Sequence, residues 1–145
     1  MKKIIIIALL ILLTVGCSNE KIEKFNLDSK YYETNEFIKI DADELKDEKN
    51  YILYTYNNYC NFRIPCDEIF KTVMEENDFS ILSMPIEEFK KTSFYKKVKY
   101  APSILIVKDR ELVAYLDAES DEDLDKYQDT TSFLEWIKKY VYLKE

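Results

Sequence analysis

The sequence predicts an α/β domain in which helices cover both faces of a mixed β-sheet. Strand and helix signals alternate between residues 37 and 102. Two further strand signals then follow one another across a two-residue turn, Asp109-Arg110, and a helical pattern ends the chain. Alternating elements followed by a hairpin and a helix are typical of a mixed sheet with helices on both faces.

Five runs rich in β-branched and aromatic residues predict the strands. The run YILYTY at 51–56 is apolar on both faces, as a central strand should be, and the run at 78–86 is interpreted in the same way. The runs on either side of Asp109-Arg110 alternate in polarity, which predicts a hairpin. The predicted strands span residues 37–40, 51–56, 78–86, 103–108 and 111–116.

Four further segments predict helices, and they span residues 41–50, 65–77, 87–99 and 131–143. The first is a short charged helix or turn that Asp41 caps. The second starts with Pro65 and two acidic residues, which suit a first helical turn, and it repeats apolar residues at helical spacing. The third is basic and amphipathic, and the last has an apolar side. The acidic segment 117–129, DAESDEDLDKYQD, is predicted to be a solvated loop.

The composition excludes several classes of function. At 145 residues, 47% of them hydrophobic, the chain can fill the core of one domain. A formal net charge of -7 disfavours nucleic acid as a partner, because binding phosphates needs a basic face. The chain has no histidine, so imidazole bases and the commonest transition-metal ligand are missing. The spacing of the cysteines at positions 17, 60 and 66 fits no zinc pattern, so we expect no metal. We also expect a monomer without a cofactor.

The first residues of the chain have the three parts of a secretory signal. Two lysines form a positive start, an apolar run spans Ile4 to Val15, and the small residue Gly16 precedes Cys17. The apolar run is shorter than the ~20 residues of a membrane-spanning helix. This arrangement resembles the lipobox of bacterial lipoproteins, which implies cleavage after Gly16 and attachment of lipid to Cys17. A plain secreted protein and an uncleaved anchor remain alternatives.

The signal divides the chain into a signal peptide, a lipidated cysteine with a polar tether, and a folded domain. These parts span residues 1–16, 17–35 and 36–145. In an alternative interpretation of the tether, Tyr31 and Tyr32 dock on the domain. A lipid on Cys17 implies a location on the extracytoplasmic face of the bacterial cell membrane.

Cys60 and Cys66 lie between the second strand and the second helix, in the stretch NYCNFRIPCDEIF. Outside the cytoplasm, a disulfide between them is chemically permitted. A helix running back through Cys60 would separate the two cysteines by about 9 Å along its axis, which is too far. Pro65 favours a helix start that leaves Cys60 in the preceding loop, because the residue before a proline avoids helical dihedral angles.

The order of elements, the cysteine pair at the strand–helix junction and Ala101-Pro102 before the hairpin resemble a thioredoxin-like domain. The resemblance covers residues 36–145. The redox motif of that family can be aligned with this sequence in two ways. In one, Tyr59-Cys60 matches the aromatic residue and first cysteine; in the other, Arg63 to Cys66 matches the whole motif without a gap. Both alignments place Cys66 at the resolving position.

The resemblance implies a membrane-anchored extracytoplasmic thiol-disulfide oxidoreductase that acts on protein thiols or disulfides. The residues implied are Cys60 and Cys66 for catalysis, Tyr59, Arg63, Ala101 and Pro102 for substrate binding, and Cys17 for lipidation. In this family the proline is cis, and the residue before it pairs with substrate peptide. The family's acid on the preceding strand is missing, since the two alignments place Tyr54 or Asn57 there. The alternative is a non-catalytic binding module in which Cys60 and Cys66 form a structural disulfide.

Cys17→Ser should release or mislocalise the protein while leaving the domain folded, because the lipid that holds it on the membrane is lost. Metabolic labelling with a fatty acid, followed by membrane fractionation, measures this. Cys66→Ser is the matched control and should keep both the label and the membrane association. A wild-type chain that takes up no label would contradict the lipoprotein interpretation.

Overall fold

The structure is a computed structural model that describes residues 23–57 and 63–144. Within these ranges it contains five strands and three α-helices. The strands are β1 (Phe37–Lys39), β2 (Tyr51–Tyr56), β3 (Ile81–Pro85), β4 (Ser103–Lys108) and β5 (Glu111–Asp117). The helices are α1 (Cys66–Asn77), α2 (Ile86–Phe89) and α3 (Thr130–Ile137).

The strands form one mixed sheet, as the sequence predicts, and their order is β1-β3-β2-β4-β5. β1, β3 and β2 run parallel, whereas β4 is antiparallel to β2 and β5 is antiparallel to β4. Leu53 of β2 lies between Leu82 of β3 and Leu105 of β4, which sets the register at the centre of the sheet. Asp109 and Arg110 connect β4 to β5 with φ angles of 51° and 67°, the left-handed values of a tight hairpin turn.

Both faces of β2 are covered by the rest of the domain. Successive side chains of a strand point to opposite faces, and Ile52 and Leu53 are only 1% and 0% exposed. Phe70 of α1 packs on Phe133 of α3 with ring centroids 4.4 Å apart, and α2 contacts β2 and β3. Apolar residues therefore occupy both faces of this strand, because the side chains from Tyr51 to Thr55 are buried on either side of the sheet.

Residues 23–35, the described part of the expected tether, pack on the domain. Phe25, Leu27 and Tyr31 are buried, and Phe25 pairs with Val141 in a parallel β-bridge. The Tyr31 hydroxyl donates a hydrogen bond to the Glu48 carboxylate. Burial, followed by this carboxylate, raises the pKa of Tyr31 above its usual range. The packed unit therefore includes residues that the sequence analysis assigns to the tether. The burial of Tyr31 agrees with the alternative in which this tyrosine docks on the domain.

The helix predicted at 87–99 is wrong in its extent, because the chain forms two short elements there. α2 ends at Phe89, and a separate 3-10 turn covers Ser93–Lys96. Thr92 lies between them with an extended backbone, and its hydroxyl donates to the Phe89 carbonyl oxygen at 2.8 Å. A side chain that satisfies a carbonyl at the end of a helix competes with a further helical turn.

Three other boundaries differ from the prediction by more than one residue, and each has a local cause. Asp78 adopts a left-handed φ of 52° to end α1, so β3 begins at Ile81 rather than at residue 78. The first predicted helix is only a 3-10 turn, Glu44–Asp47, and Asp43 rather than Asp41 stands at its cap position. Asp41 lies in the preceding turn and accepts a hydrogen bond from the Glu44 N–H at 2.9 Å. α3 ends at Ile137 because the following residues turn toward the bridge between Val141 and Phe25.

The acidic segment 117–129 is not a solvated loop throughout. It contains a 3-10 turn, Leu124–Tyr127, in which the side chain of Tyr127 is fully buried. Across the residues that the structure describes, no helix has the length and apolar character that crossing a membrane requires.

Leu53→Ala should lower the free energy of unfolding by ~2 to 5 kcal/mol, because truncating a fully buried leucine leaves a cavity. Ile104→Ala should behave alike, since Ile104 is also fully buried. Leu124→Ala is the matched control: this leucine is 40% exposed, and its loss should change stability by less than about 0.5 kcal/mol. Chemical denaturation followed by circular dichroism measures all three. Equal losses for Leu53→Ala and Leu124→Ala would contradict the described core.

Candidate active site

The candidate site lies where β2 ends, α1 begins and the chain enters β4. Cys66 is the first residue of α1, and its side chain is 0% exposed. Pro65 precedes it with a ψ of 126°, which is not helical, so the helix does not extend further back. The first turn of a helix offers backbone N–H groups and the positive end of a dipole, and both favour a thiolate. The sulfur of Cys66 is therefore held at a helix start.

Tyr54 projects from β2 toward the sulfur of Cys66. Its hydroxyl oxygen lies 3.3 Å from Sγ, within hydrogen-bonding distance of a sulfur atom. Tyr54 is 7% exposed, and its ring packs edge-on against Phe70 of α1 with centroids 5.3 Å apart. One of the two alignments places Tyr54 at the position of the family's acid. A phenol thus lies beside the sulfur where that family has a carboxylate.

The Ala101-Pro102 peptide bond in the loop before β4 is cis, as the resemblance to a thioredoxin-like domain implies. Asn57, the residue after β2, donates a hydrogen bond from Nδ2 to the Ala101 carbonyl oxygen at 2.6 Å. Directly after the proline, Ser103 of β4 pairs with Thr55 of β2. The proline loop is therefore held against the end of the strand that contains Tyr54.

Tyr127 connects the proline loop to the neighbourhood of Cys66. Its hydroxyl donates to the carbonyl oxygen of Leu116 at 2.8 Å and lies 3.4 Å from the carbonyl oxygen of Pro102. Burial, followed by the negative charge of an ionised Cys66, raises the pKa of Tyr127 well above its usual value. Pro102 and Cys66 thus have Tyr127 as a common neighbour. The sequence analysis missed Tyr127, because this residue belongs to the acidic segment 117–129 that was predicted to be a solvated loop.

Gln128 holds the loop that precedes Cys66. Its Oε1 accepts a hydrogen bond from the Ile64 N–H at 3.2 Å, and its Nε2 donates to the Ile64 carbonyl oxygen at 2.8 Å. These contacts resemble the exchange of hydrogen bonds between paired residues of an antiparallel sheet. A single glutamine in an acidic segment gives no sequence signal for this role, so sequence reasoning missed it as well.

The structure describes four of the seven predicted site residues. Three of them meet at the site through Tyr54, Asn57 and Tyr127, and these are Cys66, Ala101 and Pro102. Arg63 is exposed on the loop before Pro65. The other three, Cys17, Tyr59 and Cys60, lie outside the described residues. The Cys60–Cys66 pairing and the lipidation of Cys17 therefore stay predictions.

A cleft of about 290 Å³ opens beside Tyr54, on the side of β1. Its wall consists of Phe37, Lys39, Tyr54, Tyr56, Asn57, Asp67 and Ser83. Aromatic walls with a few polar groups are the usual lining of binding sites, so the cleft extends the surface available to a partner of the site. In residues 23–57 and 63–144, no group of cysteine and acidic side chains is arranged to hold a metal ion.

The arrangement can stabilise a charged sulfur and shield it from large reactants. The helix start favours the thiolate form of Cys66, and the Tyr54 hydroxyl lies close enough to stabilise that form by donating a hydrogen bond. Asp67 and Glu68, exposed in the first turn of α1, oppose it by charge repulsion. Complete burial leaves the sulfur accessible to a neighbouring group of the same protein rather than to a bulky disulfide from solution.

The fold is thioredoxin-like. A mutant thioredoxin from Halobacterium salinarum NRC-1 matches with a TM-score of 0.51 and 18% sequence identity, over 77% of this chain and 96% of that chain. The five-stranded mixed sheet of the described residues agrees with this fold class. No protein-family model matches the sequence, and a search of curated proteins finds no match.

Gln128→Ala should loosen the loop before Cys66, because both backbone groups of Ile64 lose a hydrogen-bond partner. We expect the Ile64 amide to exchange with solvent about tenfold faster, as loss of a net stabilising hydrogen bond implies. Hydrogen–deuterium exchange followed by NMR measures this rate. Asn35→Ala is the control, because it removes an exposed amide that contacts Asp78 away from the site. An unchanged rate at Ile64 in Gln128→Ala would show that Gln128 does not hold this loop.

Proposed function

We propose that the protein is a membrane-anchored, extracytoplasmic thiol-disulfide oxidoreductase with a thioredoxin-like fold. The observation that supports this best is the placement of Cys66, a buried sulfur at the start of α1 beside a tyrosine hydroxyl and near a cis-proline loop. A helix start favours the thiolate, which is the form of cysteine that reacts with disulfides.

In the proposed reaction, Cys60 attacks the substrate and Cys66 resolves the intermediate. Because the side chain of Cys66 is fully buried, a disulfide arriving from solution has no access to its sulfur in this structure. In the gapless alignment Arg63 replaces the family's attacking cysteine, so Cys66 itself would have to attack and Cys60 would resolve. The burial of Cys66 therefore favours the alignment that matches Tyr59-Cys60.

The proposed steps balance in atoms and electrons. The Cys60 thiolate attacks one sulfur of a substrate disulfide, forms a mixed disulfide and releases the other substrate sulfur as a thiolate. The Cys66 thiolate then attacks the Cys60 sulfur, and the second substrate sulfur leaves. The substrate is reduced to a dithiol, while Cys60 and Cys66 are oxidised to a disulfide. The same steps in reverse oxidise a substrate dithiol.

Substrate peptide would lie along the proline loop. Extended peptides bind by pairing with backbone groups of the protein, and the residue before the cis-proline would supply them here. Asn57 already donates to the Ala101 carbonyl oxygen at 2.6 Å, so a peptide N–H would share this oxygen or displace the amide. Arg63 and Tyr59 would contact the peptide from the loop before Cys66. The partners are therefore protein thiols or disulfides.

A lipid on Cys17 would hold this domain on the extracytoplasmic face of the membrane. The support is the signal-like N-terminal sequence that ends in Gly16-Cys17. Phe25, where the packed segment begins, is eight positions after Cys17, and an extended chain of that length spans at most about 29 Å. The domain would therefore remain near the membrane surface.

A second candidate function is a non-catalytic binding module. The observation that favours it is Tyr54, whose hydroxyl lies beside Cys66 at the position where the family has an acid. A tyrosine hydroxyl has an ordinary pKa of about 10 and is therefore protonated at neutral pH, so it cannot take a proton from a thiol as a carboxylate can. A disulfide between Cys60 and the buried Cys66 would then close the loop and resist reduction.

Cys66→Ala should trap mixed disulfides through Cys60, whereas Cys60→Ala should trap few, because a resolving cysteine acts only after attack has occurred. Each full-length variant is incubated with a disulfide-containing peptide, and the products are separated on a non-reducing gel. Mass spectrometry then identifies the linked cysteines. The variant with both substitutions is the control and should trap none.

The other outcomes distinguish the alternatives. Trapping by Cys60→Ala alone would exchange the roles of the two cysteines and support the gapless alignment. If neither variant traps peptide and the oxidised wild-type pair resists millimolar glutathione, the binding module is the better description. The reduction potential of the purified wild-type protein is a further measurement. A relatively oxidising potential indicates a catalytic pair, and a strongly reducing one indicates a structural disulfide.

A further inference from the structure

The pairing of Tyr54 with Cys66 points to a role for the tyrosine in the chemistry of the sulfur. Its hydroxyl oxygen lies 3.3 Å from Sγ, and both side chains are shielded from solvent. In surroundings that exclude water, a charged sulfur depends on hydrogen bonds from the protein, because burial penalises the charged form. A donor at this distance therefore affects how readily Cys66 ionises.

We propose that Tyr54 is a catalytic residue whose hydroxyl donates a hydrogen bond to the Cys66 thiolate and thereby favours the resolving step. This inference rests on the proposed function, in which Cys66 is the resolving cysteine. The Cys66 thiol loses its proton to solvent, and the resulting thiolate accepts the hydrogen bond from Tyr54. It then forms a bond to the Cys60 sulfur as the bond between Cys60 and the substrate sulfur breaks, and the substrate departs as a thiolate.

The packing around Tyr54 fixes its hydroxyl in position before the reaction begins. The ring lies edge-on to Phe70 and 5.5 Å from the ring of Phe37, measured between centroids. Both neighbours belong to regular elements, α1 and β1. A donor held in place by its surroundings stabilises a developing charge without first having to reorient.

The other ionisable groups described near Cys66 do not supply this hydrogen bond. Tyr127 faces Cys66 from the acidic segment, but its hydroxyl donates to the Leu116 carbonyl oxygen at 2.8 Å. Asp67 and Glu68 follow Cys66 in the first turn of α1, and their negative charges disfavour a thiolate. The Tyr54 hydroxyl can direct its hydrogen at the sulfur, and this contact opposes the effect of the two acids.

A titration of Cys66 without substrate tests the inference. The full-length protein with Cys60→Ala is purified in detergent with carbon-13 at the cysteine β-carbons, and the Cys66 signal is followed by NMR against pH. Tyr54→Phe should raise the midpoint by about one pH unit, since a hydrogen bond to a charged group is lost. Tyr51→Phe is the matched control, because Tyr51 is a buried tyrosine at the opposite end of β2. It should leave the midpoint unchanged.

A midpoint that is unchanged or lower in Tyr54→Phe would overturn the inference, because a lower value means that the hydroxyl accepts a hydrogen bond from the thiol instead. If Tyr54→Phe does not fold, carbon-13 at the tyrosine ζ-carbons of the protein with Tyr54 intact provides the test. The Tyr54 signal must then shift over the same pH range as the Cys66 signal. A Tyr54 signal that does not move in this range would equally overturn the inference.

A kinetic measurement separates this inference from the proposed function. In the protein with both cysteines, Tyr54→Phe should slow release of the second substrate thiol by about threefold below the midpoint, because the loss of thiolate exceeds the gain in nucleophilicity. Formation of the mixed disulfide should keep its rate. Failure of both Cys66→Ala and Cys60→Ala to trap peptide would refute the oxidoreductase, whereas trapping by Cys66→Ala with an unchanged titration midpoint in Tyr54→Phe would refute only the role of Tyr54.

Discussion

The burial of β2 on both faces and along both edges is the constraint on which the rest of the structure depends. β3 pairs with one edge and β4 with the other, so the backbone groups of β2 are satisfied within the sheet. Because side chains alternate along a strand, Tyr54 points toward α1 while Leu53 and Thr55 point to the opposite face. The strand ends at Tyr56, which leaves Asn57 beside the proline loop. The geometry of the site thus follows from the position of one strand.

The contact between Tyr54 and Cys66 changes the chemistry available at this end of the sheet. A carboxylate beside a thiol can take its proton, but a carboxylate that stays ionised disfavours the thiolate by charge repulsion. A phenol keeps its own proton at neutral pH and donates to the thiolate without adding negative charge. Asp67 and Glu68 already place two acids near the sulfur, so a neutral donor suits this helix start better than a third acid. The proton of the thiol must then leave to water or to another base.

The sheet was easier to predict from the sequence than the site. β2 and β4 begin and end where predicted, because each is an uninterrupted apolar run bounded by turn or loop residues. Tyr127 and Gln128 lie in an acidic segment, and their contacts with Pro102 and Ile64 join parts of the chain that are distant in sequence. Phe25 and Leu27 are too few to form a periodic pattern, so no sequence signal indicated their burial, although they pack on the domain. Local patterns predict elements, whereas contacts between loops depend on how the elements are arranged.

The bridge between Phe25 and Val141 brings both ends of the described chain to one side of the molecule. The Phe25 N–H donates to the Tyr140 carbonyl oxygen, and the Tyr142 N–H donates to the Phe25 carbonyl oxygen, each at 2.9 Å. The Lys108 ammonium lies over the Phe25 ring, and Lys108 ends the strand that Ser103 begins beside the proline loop. A strand of this length separates the two ends of the sheet by about 17 Å. A fluorescent reporter attached at Lys144 would therefore project from the side opposite Cys66 and leave the surface around the cis-proline uncovered.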